Sequence, residues 1–225
     1  MKNTGKVVLH IPARDGSKRV PKKNLEPIKG KPLIYYSALA SVQSNITDDV
    51  YINSDSDEML NCADLINGLK KYKRKPNLAS DLATSEDFNL EIIQTLQPDI
   101  LIMVNPICPF IKKETIKDAF SSFMKSDCDT LISCITTQMQ GFVGEKPINI
   151  DLNNQLGPSQ DNPTISILNW AVTIWDAKKF EKRMKEKGFA SLGEKRLLYK
   201  IPNLEGFKIS NPEDLEFVKE LKSLL

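Results

Sequence analysis

Three short apolar segments, each followed by a cluster of polar residues, constrain the fold of this chain more than any other feature. They are residues 7–12 (VVLHIP), 49–52 (DVYI) and 99–104 (DILIMV), and the clusters RDGSK, NSDSD and NPICP come just after them. Short runs rich in β-branched residues that end at polar turn residues are typical of buried strands. We therefore expect three core strands whose ends carry the chemistry of the chain.

Other patterns complete an alternation of strands and helices. Strands are also predicted at residues 130–135 and 169–175, and residues 207–209 are a candidate for a short last strand. Helices are predicted at residues 32–42, 57–67, 85–96, 113–124, 180–187 and 212–225. This order predicts an α/β fold with a mostly parallel sheet and helices on both faces. Such sheets bind ligands at the carboxyl ends of their strands, where the polar clusters lie.

Two stretches interrupt the alternation. Residues 70–75 form a basic segment followed by a loop, with Gly68 placed as the C-cap of the helix before it. Residues 137–168 are rich in loop-forming residues and predict an excursion from the core. The length of 225 residues predicts a single domain over residues 1–225 that includes this excursion.

The charge balance and the cysteines exclude several classes of function. The 31 basic and 29 acidic residues give a net charge of +2, which provides no basis for a dedicated nucleic-acid or membrane binder. The cysteines form no C-x-x-C pair and lie far in sequence from the single histidine, which argues against a zinc site or a Cys–His nucleophile. Free thiols and a cytoplasmic location are expected, since the apolar run near the amino terminus is too short and too polar for a signal peptide.

Three aromatic side chains are interpreted as structural. His10 falls within a predicted core strand and is expected to be buried rather than catalytic. Trp170 and Trp175 share one strand segment, and their odd separation predicts that they point to opposite faces. That arrangement favours packing and an interface over a platform for stacking a base.

The loop after the first strand has the composition of a phosphate-binding loop. Gly16 allows backbone N–H groups to approach a phosphate closely, and Arg14 and Lys18 can neutralise a triphosphate. Lys23 and Asn24 close the loop, and Asn24 can also contact the polar edge of a base. Neither GxxxxGK[ST] nor GxGxxG is present. The residues alone leave two interpretations open, a nucleotide-binding loop and a solvated basic turn.

The same loop carries a family resemblance. The stretch IPARDGSKRVPKKNLEPIKGKPLIYYS is similar to the opening of the acylneuraminate cytidylyltransferases, I-P-A-R-x-G-S-K…K-N-L…G-K-P-L-I. Further segments resemble the family in the same order, namely NSDSDE, LASDLATSED, VNPICPF, QD at residues 160–161, NWAV at residues 169–172 and FKISNPEDL at residues 207–215. The resemblance covers nearly the whole chain and is strongest in the first 40 residues.

The resemblance implies a fold and a reaction. It implies a Rossmann-like nucleotidyltransferase fold with a small dimerisation excursion, and a homodimer in which a partner helps to close the site. The implied reaction transfers CMP from CTP to a 2-keto sugar acid of the sialic, pseudaminic, legionaminic or ketodeoxyoctulosonic type, with release of pyrophosphate. It is expected to depend on Mg²⁺.

The resemblance also assigns roles to individual residues. Those expected to hold the triphosphate are Arg14, Gly16, Ser17, Lys18 and Lys23. Those expected to contact the cytidine are Asn24, Arg74 and Thr84. Those expected at the sugar are Asn105, Gln160, Asp161 and Asn169.

The sequence departs from the family at several of these positions. The family's D-I-D, which supplies carboxylates for magnesium, is Lys208-Ile209-Ser210 here. The glycine of the family's N-G-A is Trp170, and the glutamine of its Q-P-T-S-P is Asn105. The arginines expected after S-P-L and before Q-D are replaced by isoleucine and serine.

Three hypotheses stay open at this point. The chain is a divergent active enzyme in which Lys208 supplies positive charge, or in which Asp55, Asp161 or Glu213 binds the metal. Alternatively, it is a nucleotide-binding or regulatory paralogue without turnover. The third hypothesis is that it transfers the nucleotide to a different acceptor.

Overall fold

The computed structural model describes residues 5–16 and 20–225, and the chain forms strands and helices in alternation. The strands are β1 Val7–Pro12, β2 Pro27–Ile28, β3 Lys31–Pro32, β4 Val50–Ser54, β5 Leu69–Lys73, β6 Ile100–Val104, β7 Thr130–Thr137, β8 Phe142–Val143, β9 Lys146–Pro147, β10 Ile165–Asp176 and β11 Arg196–Lys200. The α-helices are α1 Ile34–Gln43, α2 Asp57–Asn61, α3 Ser85–Leu96, α4 Lys113–Lys125, α5 Ala177–Lys187 and α6 Pro212–Glu220. Short 3₁₀ turns cover Lys23–Leu25, Cys62–Leu65, Pro76–Ala79, Ser159–Asp161 and Leu221–Leu224.

Seven strands form one sheet in the order β11-β7-β10-β6-β1-β4-β5. The pairs β1–β4, β1–β6, β4–β5 and β7–β11 are parallel, and β10 runs antiparallel to both β6 and β7. The prediction of a mostly parallel sheet is therefore confirmed. The carboxyl ends of β1, β4, β5 and β6 lie at one edge, and the polar clusters follow them there.

Both faces of the sheet are covered by helices because side chains alternate along each buried strand. In β6, Ile102 joins the core cluster that includes α1 and α4, whereas Leu101 joins the cluster that includes α3 and α5. Both side chains are fully buried, and such burial stabilises a fold by roughly 1.5–3 kcal/mol per side chain. A third cluster packs α6 through Leu215 and Val218 against the loop after β1.

The structure corrects the prediction at both ends of the sheet. The basic segment 70–75 contributes β5, and β11 was not predicted at all. Both are outermost strands with basic residues facing solvent, so they lack the apolar run of a core strand.

The predicted strand at residues 207–209 is wrong, since this segment is irregular. The predicted helix at residues 57–67 ends as an α-helix at Asn61, so Gly68 (φ 85°) forms the turn into β5 instead of capping it.

The excursion is shorter than predicted because its flanking strands are longer. β7 continues to Thr137 and β10 begins at Ile165, and between them lie the β8–β9 hairpin and a 3₁₀ turn. We call residues 138–164 the β7–β10 connection. Within the described ranges, no helix is long and apolar enough to cross a membrane.

A bulge interrupts β10 beside the carboxyl edge of β6. The pairing with β7 moves from Leu168 opposite Cys134 to Thr173 opposite Ile132, so β10 advances five residues while β7 advances two. The backbone of Trp170, within the bulge, has a φ of 59°. A bulge of this kind redirects side chains away from the plain alternation of a strand.

His10 is buried in β1, as the sequence predicted. It is fully buried, and its ring makes an edge contact with Phe88 at a centroid distance of 6.1 Å. Burial, and to a lesser extent the positive charge of Arg74, lowers the pKa of His10 from 6.5 to about 3. The imidazole is therefore neutral at neutral pH.

We predict that the free energy of unfolding falls as the pH is lowered below 6.5, where the histidine of the unfolded chain begins to take up a proton. The folded chain resists protonation down to a pH of about 3, so the unfolded state binds more protons in this range. The loss is at most ~1.4 kcal/mol per pH unit, and urea titrations at about pH 7 and about pH 5.5 measure it. Because His10 is the single histidine, His10→Gln should flatten the slope, and an unchanged slope would contradict the assignment.

Candidate functional site

A cavity of about 740 Å³ opens at the carboxyl edge of the sheet. Strand ends, the start of α3, the bulge of β10 and the loop after α5 all contribute to it. Its lining consists of Pro12, Arg14, Arg74, Ser85, Glu86, Phe88, Met103, Asn105, Leu168, Trp170, Phe189, Ser191, Leu192 and Lys208. This is the position at which parallel α/β sheets bind ligands.

Arg74 is a buried cation at the base of this cavity. It is 3% exposed, its Nε donates to Asn53 Oδ1 at 2.9 Å, and its Nη2 donates to the Asn53 carbonyl at 2.9 Å. The guanidinium lies 4.2 Å from the ring centroid of Phe88. Burial, reinforced by the charge of Arg14, lowers the pKa of Arg74 to about 10, so it stays charged at neutral pH.

Among the described residues Arg74 forms no salt bridge, although the negative charges of Asp55 and Glu91 oppose the lowering of its pKa. A buried charge is costly unless it is paired, and Arg74 faces the cavity. The geometry therefore suits the binding of an anion, and a planar guanidinium is well matched to phosphate or carboxylate oxygens.

Arg14 follows β1 and lies on the same cavity. Its Nη1 is 3.2 Å from Asp81 Oδ1 and 3.4 Å from the Ser80 carbonyl, and the side chain is partly exposed. An exposed ion pair of this kind contributes little to stability, so Arg14 can exchange Asp81 for a phosphate at small cost. Gly16 is exposed, with open space where a Cβ would stand. Ser17 and Lys18 lie outside the described residues.

Lys23 contacts the segment that follows β11, and this segment carries Lys208. Lys23 Nζ donates to the Ile209 carbonyl at 2.8 Å, and Ile209 N–H donates to the Ile107 carbonyl at 3.0 Å. These bonds bring Lys208 to the loop after β6, where it lines the cavity. Burial raises the pKa of the Cys108 thiol to about 12, against the opposing effect of the charges of Lys208 and Lys23. A thiol that stays protonated is not a nucleophile.

Asn24 and Asn105 differ in how their amides are used. Asn24 is buried, and its Oδ1 has no hydrogen-bond partner among the described residues. Asn105 lines the cavity, and its Oδ1 accepts a hydrogen bond from Ile107 N–H at 3.3 Å. Unpaired buried polar atoms are uncommon, but Asn24 is not part of the cavity lining, so its contact with a ligand stays a prediction.

Seven described residues expected at the site do not line this cavity, namely Gly16, Lys23, Asn24, Thr84, Gln160, Asp161 and Asn169. Thr84 caps α3, where its Oγ1 accepts from Asp87 N–H at 3.3 Å. Asn169 is buried in the bulge, and its Oδ1 accepts from Ser133 Oγ at 2.6 Å. Gln160 and Asp161 lie in the 3₁₀ turn of the β7–β10 connection. Their roles as ligand contacts stay predictions.

Sequence reasoning missed the apolar part of the lining. Leu168, Trp170, Phe189 and Leu192 belong to the bulge and to the loop after α5. We call these four side chains the apolar wall. Nothing in the chain's periodicity marks that loop, and the bulge cannot be read from the alternation within β10. The one signal for the apolar wall in the sequence was Trp170, which stands where the family has the glycine of N-G-A.

Glu86 fixes the loop that carries part of this wall. Its Oε1 accepts hydrogen bonds from the backbone N–H groups of Ala190 at 2.7 Å and Ser191 at 2.6 Å. On the other side of the same loop, Trp175 Nε1–H donates to the Ser191 carbonyl at 2.9 Å. The loop is thus held by two elements of the core.

The described residues do not fit a magnesium ion at the position where the resemblance implies one. Lys208 and Ser210 offer no carboxylate there, and Asp214 already accepts from Ser210 N–H at 2.6 Å within the cap of α6. Asp55 has a buried Oδ1 without a hydrogen-bond partner, but no three His, Cys, Asp or Glu side chains of residues 5–16 and 20–225 come together to hold a metal. Mg²⁺ requires oxygen ligands, and the cavity offers three cations and one carboxylate, Glu86, whose Oε1 already accepts from two backbone N–H groups.

Comparison with known proteins places this geometry in context. The family model described as cytidylyltransferase matches residues 8–222. The chain is 34% identical over 128 residues to a pseudaminic acid cytidylyltransferase of Campylobacter jejuni, and this match covers 55% of each chain. It is 27% identical over 234 residues to a CMP-N,N'-diacetyllegionaminic acid synthase of Legionella pneumophila, covering 97% of each chain. The former match thus spans about half the length of that relative.

Among solved structures, a CMP:2-keto-3-deoxy-manno-octonic acid synthetase complexed with CTP superposes with a TM-score of 0.71. It is 17% identical and the match covers 97% of this chain and 99% of that one. At this identity the likeness concerns the fold, and it confirms the expected nucleotidyltransferase fold. Since the family model spans nearly all of the sheet and the lining of the cavity, the chain belongs to the cytidylyltransferase family.

Proposed function

We propose that this chain transfers CMP from CTP to a 2-keto sugar acid and releases pyrophosphate. The observation that carries the proposal is the group of cations at one cavity, Arg14, Arg74 and Lys208, at the carboxyl edge of a nucleotidyltransferase sheet. The relatives named as pseudaminic and legionaminic acid enzymes support an acidic sugar as the acceptor.

The proposed chemistry requires little covalent help from the protein. The anomeric hydroxyl of the acceptor attacks the α-phosphorus, a P–O bond forms to the sugar, and the bond to pyrophosphate breaks. Such a transfer depends on positioning and on neutralising the charge of the phosphates. Arg14 and Lys23 lie on the loop after β1 and are assigned to the triphosphate, together with Lys18. The resemblance places Arg74 at the cytidine, whereas its buried guanidinium on the cavity leads us to assign it to an anionic group.

Lys208 is proposed to replace part of the charge that a metal supplies elsewhere. It occupies the first position of the D-I-D motif and lines the cavity. Its ammonium group can neutralise phosphate oxygens directly. The resemblance implies dependence on Mg²⁺, whereas the side chains around Lys208 lead us to propose that nucleotide binding depends little on the ion. The hypothesis of a paralogue without turnover is tested by the same measurements.

A homodimer is proposed on the basis of the β7–β10 connection. Met139, Val143 and Leu152 are 76%, 71% and 63% exposed, which is unusual for large apolar side chains clustered in one segment. A second copy of the chain that covers this segment would remove them from water.

We predict that Arg14→Ala weakens CTP binding by roughly 10- to 100-fold, because it removes a charged hydrogen-bond donor from the triphosphate. Calorimetric titration of CTP, beside ATP, GTP and UTP, measures the effect. Lys182→Ala is the matched control, since Lys182 is an exposed cation on α5. Equal affinities of wild type and Arg14→Ala would remove the loop after β1 from the nucleotide site.

We predict that CTP affinity changes by less than about threefold between excess Mg²⁺ and EDTA in the wild type, because protein cations neutralise the phosphates. Lys208→Asp restores a carboxylate at the family's position. It should lose roughly 10-fold in affinity in EDTA and regain most of it with Mg²⁺. Lys222→Ala, a change at an exposed lysine in the last 3₁₀ turn, should behave as wild type. A wild type that binds CTP only with Mg²⁺ would contradict the role of Lys208.

A further inference from the structure

A chain of buried polar side chains leads from the cavity into the core. It begins at Arg74 on the cavity and passes through Asn53 at the end of β4. It continues through His10 in β1 to Asn89 on α3. Asn53, His10 and Asn89 are fully buried, and Arg74 is 3% exposed. Polar groups enclosed in this way need hydrogen-bond partners within the protein.

The donors and acceptors of these side chains fit together in one direction. An arginine Nε donates and cannot accept, so the Asn53 atom 2.9 Å from it has to be the amide oxygen. The amide nitrogen of Asn53 then points to His10 Nδ1 at 3.4 Å, and Nδ1 has to accept. A neutral imidazole that accepts at Nδ1 carries its proton on Nε2.

The far end of the chain continues in the same direction. His10 Nε2 and both amide atoms of Asn89 are buried and form no hydrogen bond of full geometry among the described residues. Asn89 nevertheless opposes the lowering of the His10 pKa, as an acceptor beside the ring does. A small closure of this contact, or one buried water between the two side chains, provides the acceptor that Nε2–H needs.

The proton on the imidazole determines which Asn53 atom faces Arg74. A proton on Nδ1 would confront the Asn53 amide nitrogen with a second donor, and the amide would turn that nitrogen toward Arg74 Nε, which only donates. Resting on the proposed function, we infer that His10 is a positioning residue for nucleotide binding, because its Nδ1 keeps Asn53 in the orientation that holds Arg74 on the cavity. His10 does not line the cavity itself.

The tautomer of His10 tests the direction of the chain in the wild type. His10 is the single histidine, so ¹⁵N labelling of histidine gives the ring nitrogens of one residue. At neutral pH we expect an unprotonated Nδ1 and a protonated Nε2. A proton on Nδ1 would overturn the inference, because the Asn53 amide nitrogen would then have no acceptor in the ring.

A double-mutant cycle tests whether His10 acts through Arg74. His10→Phe keeps an aromatic ring beside Phe88 and removes both nitrogens, and it should weaken CTP binding by about fivefold in calorimetry. The loss is partial because Arg74 Nη2 still donates to the Asn53 carbonyl. His10→Gln, which keeps an acceptor and a donor, should stay within about twofold of the wild type.

Arg74→Lys provides the second arm of the cycle, since it keeps the charge and removes the Nε that Asn53 holds. In this background His10→Phe should change CTP affinity by less than about twofold. An equal loss in both backgrounds would overturn the inference, because His10 would then act independently of Arg74.

Thr173→Val is the matched control for polar changes in this part of the core. The Thr173 hydroxyl is fully buried, has no hydrogen-bond partner among the described residues, and lies on the same face of the sheet as Trp175. Its removal should leave CTP affinity within about twofold of the wild type. A loss equal to that of His10→Phe would assign both effects to the core in general and overturn the inference.

The two proposals fail in different ways. A wild type that binds no CTP in the calorimeter removes the proposed function and, with it, the positioning role that rests on it. A wild type that binds CTP, together with a His10→Phe variant of equal affinity, leaves the proposed function intact and removes only the role of His10.

Discussion

Asn53 holds together the edge of the sheet at which the cavity opens. Its carbonyl accepts hydrogen bonds from Ala13 N–H at 2.9 Å and from Arg74 Nη2, and its side-chain oxygen accepts from Arg74 Nε. Its Nδ2 lies 3.4 Å from His10 Nδ1. One fully buried amide residue at the end of β4 therefore connects the exits of β1 and β5 and fixes the buried cation. Buried polar networks of this kind stabilise one arrangement when their members are paired.

The electrostatics of the site follow from this anchoring. Arg74 cannot turn away from the cavity without losing both bonds to Asn53 and its contact with Phe88. Arg14 and Lys208 reach the same space from flexible side chains on other segments. A rigid cation in the base and adaptable cations around it suit a ligand whose charge shifts during reaction, because preorganised charge costs no reorganisation when the shift occurs.

The central strands and the cationic loop could be predicted from sequence because local chemistry determines them. Apolar runs such as that of β6 have few alternatives to burial, and glycine beside arginine after a strand is a local signal. β5 and β11 were not readable because outermost strands with several exposed basic residues resemble solvated loops. The apolar wall was not readable either. Trp170 and Phe189 line the same cavity only because tertiary contacts fix the bulge of β10 and the loop after α5. Asn169 illustrates the same limit, because its amide oxygen accepts the hydrogen bonds that hold the bulge.

The reversed direction of β10 has a consequence for how this architecture can diversify. Because β10 runs against β6 and β7, its first residues, rather than its last, lie at the carboxyl edge of the parallel strands. The segment that enters β10 must therefore leave the sheet and return beside the mouth of the cavity. Insertions and deletions can change the length of this segment without shifting the register of β1, β4 or β6. Changes in this connection can therefore occur while the strands that hold the cavity keep their arrangement, as expected where loops vary on a constant framework.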